Sequence, residues 1–125
     1  MILGTEKLAQ DLRENYYPKA EVVHDTQNQP YVLIPGFSIP AGSFAGRTID
    51  LAIPVPADYP RSLGASIHIR ATPHLAAFGQ GISSRNVLPS KLGEAWQYWS
   101  FRFRPCLTNP TAELLSQINA VFRHN

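Results

Sequence analysis

The single cysteine, Cys106, is the residue whose type and position first suggest covalent chemistry. It lies in the segment Arg104-Pro-Cys-Leu-Thr-Asn-Pro, between an aromatic stretch and the last amphipathic segment of the chain. Nearby arginines and a helix N-terminus a few residues later would favour the thiolate, which is the nucleophilic form. A buried, inert thiol at the same position stays open as the alternative. One cysteine excludes an intrachain disulfide and a metal site built from cysteines.

Histidine is another residue type that could take part in acid–base or metal chemistry. The four histidines show no metal-ligand spacing and have no cysteine beside them: His24, His68, His74 and His124. Surface or structural roles are therefore expected for them. Ser100 has no evident base, and the sequence contains no nucleophile-elbow motif around a serine. The pattern predicts neither a metal site nor a serine nucleophile.

The composition is typical of one folded domain, expected to span residues 1–125. Of these residues 44 % are hydrophobic and 16 % are charged, which excludes a disordered chain. Eleven prolines, spread over the whole chain, argue against a helical bundle. The N-terminal stretch does not resemble a secretory signal, and no apolar run approaches the roughly 18 residues that cross a bilayer. A cytoplasmic protein with no membrane partner is expected.

Charge and aromatic content bear on nucleic-acid binding. Eleven Lys and Arg against nine Asp and Glu give a net charge of +2, far from the concentrated positive field of an electrostatic nucleic-acid binder. The alternation Phe101-Arg-Phe-Arg104 could stack single-stranded nucleic acid. The preferred interpretation is that the phenylalanines point into the core and the arginines into solvent. Nucleic acid is therefore not expected as a partner.

The helices that would position these groups follow from the spacing of the apolar residues. Leu8, Leu12 and Tyr16 recur every four residues and predict a helix over residues 5–16, which Pro18 ends. A closing helix is predicted after Pro110, because one apolar stripe continues to the end of the chain: Leu114, Leu115, Ile118, Val121 and Phe122.

Between the predicted helices, apolar residues alternate with the period of two that is typical of strands. Four short strands are predicted, at residues 20–24, 31–39, 47–55 and 65–70, and short connections favour an antiparallel meander. In the fourth strand, Ser66, His68 and Arg70 are expected to point outward. Residues 71–95 are expected to be irregular, and residues 96–104 to form an aromatic strand. The order of elements predicts an α+β fold.

Three stretches resemble the ubiquitin-conjugating (E2, UBC) superfamily. Residues 39–44 and 49–60 are similar to its G-x-F turn, the strand that follows and the Tyr-Pro turn after that strand. Residues 96–100, Trp-Gln-Tyr-Trp-Ser, look like the Trp-rich stretch of bacterial E2-like proteins from ubiquitin-like conjugation operons. The order of helix, meander, loop, cysteine and helix also fits the E2 fold. The resemblance covers essentially the whole chain.

The resemblance implies a role for Cys106. The matching E2 cysteine accepts a ubiquitin-like modifier from an E1-like enzyme as a thioester and passes it to an amine of an acceptor protein. No cofactor is implied, and bacterial relatives are associated with antiphage defence. The superfamily stabilises the oxyanion with the Asn of a His-Pro-Asn motif, which is missing here. His74, in Thr72-Pro-His74, and Asn86 are the candidates to replace it.

The missing motif also keeps a non-catalytic hypothesis open. In that case the chain is an E2-like scaffold that binds the modifier or the E1-like enzyme without forming a thioester. The two hypotheses differ at Cys106, because only the carrier needs its thiol.

Overall fold

Two helices and an antiparallel sheet make up the computed structural model, which describes residues 2–76, 78, 81–82, 85–106 and 108–124, and only the backbone of residues 81–82 and 85–86. The helices are α1 (Gly4–Asn15) and α2 (Pro110–Arg123). The strands are β1 (Glu21–His24), β2 (Pro30–Ser38), β3 (Thr48–Ile53), β4 (Ser66–Arg70), β5 (Gly81–Ile82), β6 (Arg85–Ser90) and β7 (Gly93–Ser100). The α+β prediction is confirmed. Neither of these helices is long and apolar enough to span a membrane.

The sheet has the strand order β1-β2-β3-β4-β7-β6-β5, with antiparallel neighbours. The predicted four-stranded meander corresponds to β1–β4, but the described sheet contains more strands than four. The aromatic strand β7 pairs with β4 and places Trp99 opposite Ile67. This pairing brings the end of β7, and the segment that leads to Cys106, next to the start of β4.

The prediction that residues 71–95 are irregular is wrong for their second half. Residues 85–90 form β6, and β7 begins at Gly93 and ends at Ser100 rather than at residue 104. Pro89 concealed β6, because a proline inside an apolar run argues against a strand. In the sheet, Pro89 lies opposite Gln97 beside a bulge, where the missing N–H disturbs the ladder least. Gly93 adopts a φ of 138° after the turn, a conformation that favours glycine.

Both helices pack on one face of the sheet and form the main core with it. Leu8 and Leu12 of α1 are fully buried, as the helical spacing predicted, but Tyr16, the third residue of that spacing, is 45 % exposed because α1 ends at Asn15. The predicted stripe of α2 is also confirmed, since all of its members are buried: Leu114, Leu115, Ile118, Val121 and Phe122. From β2, β3, β4 and β7, the alternate residues that point toward the helices complete this core.

The opposite face of the sheet, which we call the second face, carries a smaller cluster of buried residues: Tyr31, Leu33, Ala52 and Trp96. The β1–β2 and β6–β7 turns meet over it, since Thr26 N donates to Lys91 O at 3.4 Å. Lys91 Nζ also donates to Gln27 Oε1 at 2.8 Å. These turns belong to two hairpins, β1–β2 and β6–β7, that are separated in the sheet by β3 and β4. The sheet is therefore curled enough for its two outer hairpins to touch.

Candidate functional site

Cys106 lies in the extended segment between the end of β7 and the start of α2, the junction predicted for it. Its thiol is free and its side chain is half-buried. Among the residues that the structure describes, none makes a hydrogen bond to its sulfur. Partial exposure distinguishes this thiol from a sealed core cysteine and leaves it accessible to a reaction partner.

Gln117 of α2 fixes the backbone two residues before Cys106. Arg104 N donates to Gln117 Oε1 at 2.8 Å, and Gln117 Nε2 donates to Arg104 O at 2.7 Å. One side-chain amide therefore satisfies both backbone polar groups of a residue that belongs to no strand. This pair of bonds ties the segment before Cys106 to a packed helix. Sequence reasoning missed it, because a single glutamine on a helix forms no pattern.

Replacing Gln117 with Leu should release this segment. The loss of two exposed hydrogen bonds should lower the free energy of unfolding by about 1–2 kcal/mol, toward the lower end of the usual net contribution. Alkylation of Cys106 by N-ethylmaleimide under native conditions should become faster, because the segment opens more often. Gln10→Leu, at an exposed position of α1, is the matched control. An unchanged urea midpoint together with an unchanged alkylation rate would contradict this role for Gln117.

At residues 101–104 the phenylalanines point toward the core and the arginines toward solvent, as the preferred interpretation predicted. Phe103 is buried in the main core, and Phe101 is half-buried against it, with 4.9 Å between the ring centroids. Arg102 and Arg104 are exposed. The two phenylalanines thus anchor the segment before Cys106 to the core.

His74, a candidate oxyanion donor, follows β4 and the cis Thr72–Pro73 peptide bond. Its ring lies 5.1 Å from that of Phe78, at an interplanar angle of 79°. Its Nδ1 is buried and has no hydrogen-bond partner among the described residues. Within the described structure, no hydrogen bond joins His74 to Cys106. For Asn86, the backbone pairs with Gly81 between β6 and β5, and the side chain lies outside the described structure.

Two side chains hold the backbone on either side of His74. Arg47 Nη2 donates to Pro73 O at 2.7 Å, and Gln97 Nε2 donates to Ala76 O at 2.7 Å. Gln97 itself is fully buried, so its position is fixed by packing. The unpaired nitrogen of His74 therefore belongs to a side chain whose own backbone is well anchored.

His68 of β4 points away from the main core, as predicted, but the expectation that it faces solvent is wrong. It is 4 % exposed on the second face, where the rings of Tyr31 and Tyr98 pack against it. Its Nδ1 lies 2.7 Å from Ser90 Oγ, and its Nε2 lies 3.3 Å from Ser66 Oγ. Ser66 is also buried, contrary to the prediction. Period-two alternation predicts toward which face of the sheet a side chain points, but not whether that face is buried. Burial of the second face depends on turns that are distant in the chain.

Aromatic rings and one carboxylate complete the surroundings of His68. The rings of Tyr31 and Tyr98 stand edge-on to it, with centroids at 4.9 and 5.3 Å. Burial lowers the pKa of His68 to about 4, although the Asp25 carboxylate partly opposes the shift. The imidazole is therefore neutral at neutral pH. Burial, and then the hydrogen bond and charge of Asp25, raise the pKa of Tyr31, which stays a donor.

Asp25 organises the β1–β2 turn that covers part of the second face. Its carboxylate accepts from Gln27 N at 2.8 Å, from Gln29 N at 3.0 Å and from Tyr31 Oη at 2.8 Å. Desolvation raises the pKa of Asp25, but these hydrogen bonds and the nearby charge of Lys91 outweigh it, so the pKa is lowered.

A partly buried chain of hydrogen bonds joins the two helices beside the turn that follows β3. Thr111 Oγ1, in the first turn of α2, donates to Asp11 Oδ2 of α1 at 2.6 Å. Tyr59 Oη lies 2.7 Å from the same hydroxyl and is the donor to it, because the threonine proton is already used. Lys7 Nζ pairs with Asp11 Oδ1 at 2.9 Å. Sequence reasoning missed this chain, because its members are distant from each other in sequence.

Comparisons with known proteins agree with the resemblance noted in the sequence. The chain matches prokaryotic E2 family E over residues 8–119, a range that runs from α1 into α2 and contains Cys106, His74 and Asn86. Neither a search of curated proteins nor a search of solved structures found a match. Because the family match covers most of the chain, the protein belongs to prokaryotic E2 family E.

Proposed function

We propose that this protein carries a ubiquitin-like modifier as a Cys106 thioester between an E1-like enzyme and an acceptor amine. The observation that carries the proposal is a free, half-buried thiol on an anchored segment of an E2-family chain. Gln117 holds the backbone before it, and Phe103 packs the same segment on the core. The thiol is thus accessible while its backbone is positioned.

The proposed reaction needs no external energy once the E1-like enzyme is charged. Cys106 Sγ attacks the thioester carbonyl, a carbon–sulfur bond to Cys106 forms, and the bond to the E1 sulfur breaks to release the E1 thiolate. An acceptor amine then attacks the Cys106 thioester and loses a proton. An amide forms, and the Cys106 thiolate is released.

Each transfer passes through a tetrahedral oxyanion, which a nearby donor must stabilise. We assign this role to His74, whose buried Nδ1 lacks a partner among the described residues, or to the amide of Asn86. The resemblance further supports one E2-like domain over residues 1–125, acting in the cytoplasm within an antiphage conjugation system.

Adduct formation tests the proposal. The protein is incubated with an E1-like enzyme, a ubiquitin-like modifier from a bacterial conjugation operon, and ATP, and is analysed without reductant. We expect an adduct that dithiothreitol collapses, no adduct with Cys106→Ala, and at most a reductant-resistant ester with Cys106→Ser. His74→Ala should slow transfer by about 100-fold if it supplies the oxyanion donor, whereas His24→Ala, an exposed control, should not.

The carrier proposal fails if the E1-like enzyme is charged and wild-type protein forms no adduct, or if Cys106→Ala still forms one. The scaffold hypothesis is motivated by the missing His-Pro-Asn motif, because a chain without that motif lacks the superfamily's usual oxyanion donor. Binding of the modifier or E1-like enzyme that survives Cys106→Ala, with conjugation unaffected, would establish the scaffold instead.

A further inference from the structure

A cavity of about 440 Å³ opens on the second face of the sheet, opposite the helices. Its lining is aromatic and proline-rich, and includes Tyr31, His68, Tyr98, Pro30, Pro54 and Pro89. The volume lies in the range of about 300–1,000 Å³ that is usual for small-ligand sites. None of the chemistry proposed for Cys106 uses this cavity.

The polar floor of the cavity is held rigidly before any ligand binds. Ser66 and His68 both line it and are only 5 % and 4 % exposed. The imidazole is fixed by Ser66 on one nitrogen and by Ser90 on the other, at 3.3 and 2.7 Å. Two tyrosine rings, edge-on to it, prevent it from turning. Such preorganisation reduces the entropy that a ligand would have to lose on binding.

The rim of the cavity is held by the contact between the outer hairpins. Lys91, which lines the cavity, donates through Nζ to Gln27 and accepts through its carbonyl from Thr26. These bonds join the β1–β2 turn to the β6–β7 turn. The cavity therefore follows from the curl of the whole sheet rather than from one loop.

The charges around the cavity favour an uncharged ligand. His68 is neutral because of its burial, and the opposite charges of Asp25 and Lys91 offset each other near the rim. Tyr98 lines the cavity, and its hydroxyl makes no hydrogen bond to a described residue. That hydroxyl can serve a ligand, while ring edges and proline rings offer flat apolar contact.

We propose that this cavity is a binding site for an uncharged aromatic group with one hydrogen-bonding substituent, as a free small molecule or as an aromatic side chain of a peptide. Ring contact with Tyr31, Tyr98 and the prolines holds the ligand, and the Tyr98 hydroxyl orients it. The site acts independently of Cys106.

Titration with indole and with N-acetyltryptophanamide, followed by amide and side-chain NMR shifts, tests the proposal and separates the free from the peptide-like source. At least one neutral probe should shift resonances of Tyr31, His68 and Tyr98. Indole-3-acetate and tryptamine carry opposite charges on the same ring, and each should bind about 10-fold more weakly, because each charge would lose hydration in a largely apolar lining whose Lys91 is already held by Gln27.

Variants locate the binding within the cavity. Tyr98→Phe should weaken binding by about 3- to 10-fold, the usual effect of one neutral hydrogen bond. Tyr98→Ala should weaken it further, whereas Tyr16→Ala, at an exposed tyrosine just after α1, should not. Unchanged dispersion of the remaining NMR signals verifies that each variant is folded.

Two results would overturn the site: no cavity resonance shifts with either neutral probe up to its solubility, or either charged analogue binds as tightly as the neutral ones. Repeating the titration with Cys106→Ala should give the same affinity. Failure of the carrier function and failure of this site are therefore separate outcomes.

Discussion

Acidification from pH 6.5 to pH 4 should destabilise the protein by about 3 kcal/mol through His68 alone, because burial lowers the pKa of His68 from 6.5 to about 4 and each tenfold difference in proton affinity is worth about 1.4 kcal/mol. In the folded state the imidazole is buried between Tyr31 and Tyr98, and protonation would place a charge there. The unfolded chain keeps the ordinary pKa of 6.5.

The sign follows from proton counting. Between pH 6.5 and pH 4 the unfolded chain binds a proton at His68 that the folded protein does not, so stability rises with pH across this window. The contribution is fully present above pH 6.5 and is lost as the pH falls toward 4. Asp25 acts lower on the scale: its pKa is lowered from 3.8, so its contribution is lost only below that window.

Urea unfolding at a series of pH values measures this effect. His68→Gln removes the titration, so its free energy of unfolding should be nearly flat between pH 6.5 and pH 4 where the wild type declines. The variant should be less stable than wild type at pH 7.5, because Gln cannot satisfy Ser66 and Ser90 equally well. His24→Gln, on exposed β1, is the control. A wild-type decline that persists in His68→Gln would contradict this assignment.

His68 also illustrates what could be predicted from the sequence. The alternation in β4 correctly placed its side chain on the face of the sheet opposite to that of Ile67 and Ile69. Its burial required knowledge that the turns carrying Thr26 and Lys91 meet over the second face, and no local pattern reports a contact between turns so far apart in the chain. Periodicity therefore predicted the helices and β1–β4, while β6 was missed because of Pro89.

The same limit applies to the surroundings of Cys106. Its place at a strand–helix junction was evident, because apolar spacing predicts where β7 gives way to α2. The sequence did not reveal that the amide of Gln117 fixes the segment, or that Nδ1 of His74 is buried without a partner among the described residues. Both are properties of single polar side chains in tertiary contact, and single side chains leave no repeat in a sequence.

Replacing Thr111 with Val should lower the free energy of unfolding by about 2–4 kcal/mol, although the two side chains have nearly the same shape. The substitution removes the donor to Asp11 and the acceptor for Tyr59 together. Tyr59 is fully buried, and burial raises its pKa to about 12, so its hydroxyl remains a proton donor that would lose its partner.

Matched variants separate this network from simple packing. Thr108→Val, at an exposed threonine just before α2, should change the free energy of unfolding by less than about 0.5 kcal/mol. Tyr59→Phe should cost less than Thr111→Val, because the bond from Thr111 to Asp11 survives it. The double variant should lose about 1 kcal/mol less than the sum of the two single losses, since both substitutions remove the same hydrogen bond between Tyr59 and Thr111.

The network should matter beyond its own bonds because of what it connects. Asp11 belongs to α1, Thr111 to the first turn of α2, and Tyr59 to the turn after β3, so one hydroxyl fixes three elements around the main core. The Asp11 carboxylate also lies near the N-terminal end of α2, where the helix dipole favours a negative charge. If urea midpoints of Thr111→Val and wild type coincide, the helices are held together by apolar packing alone.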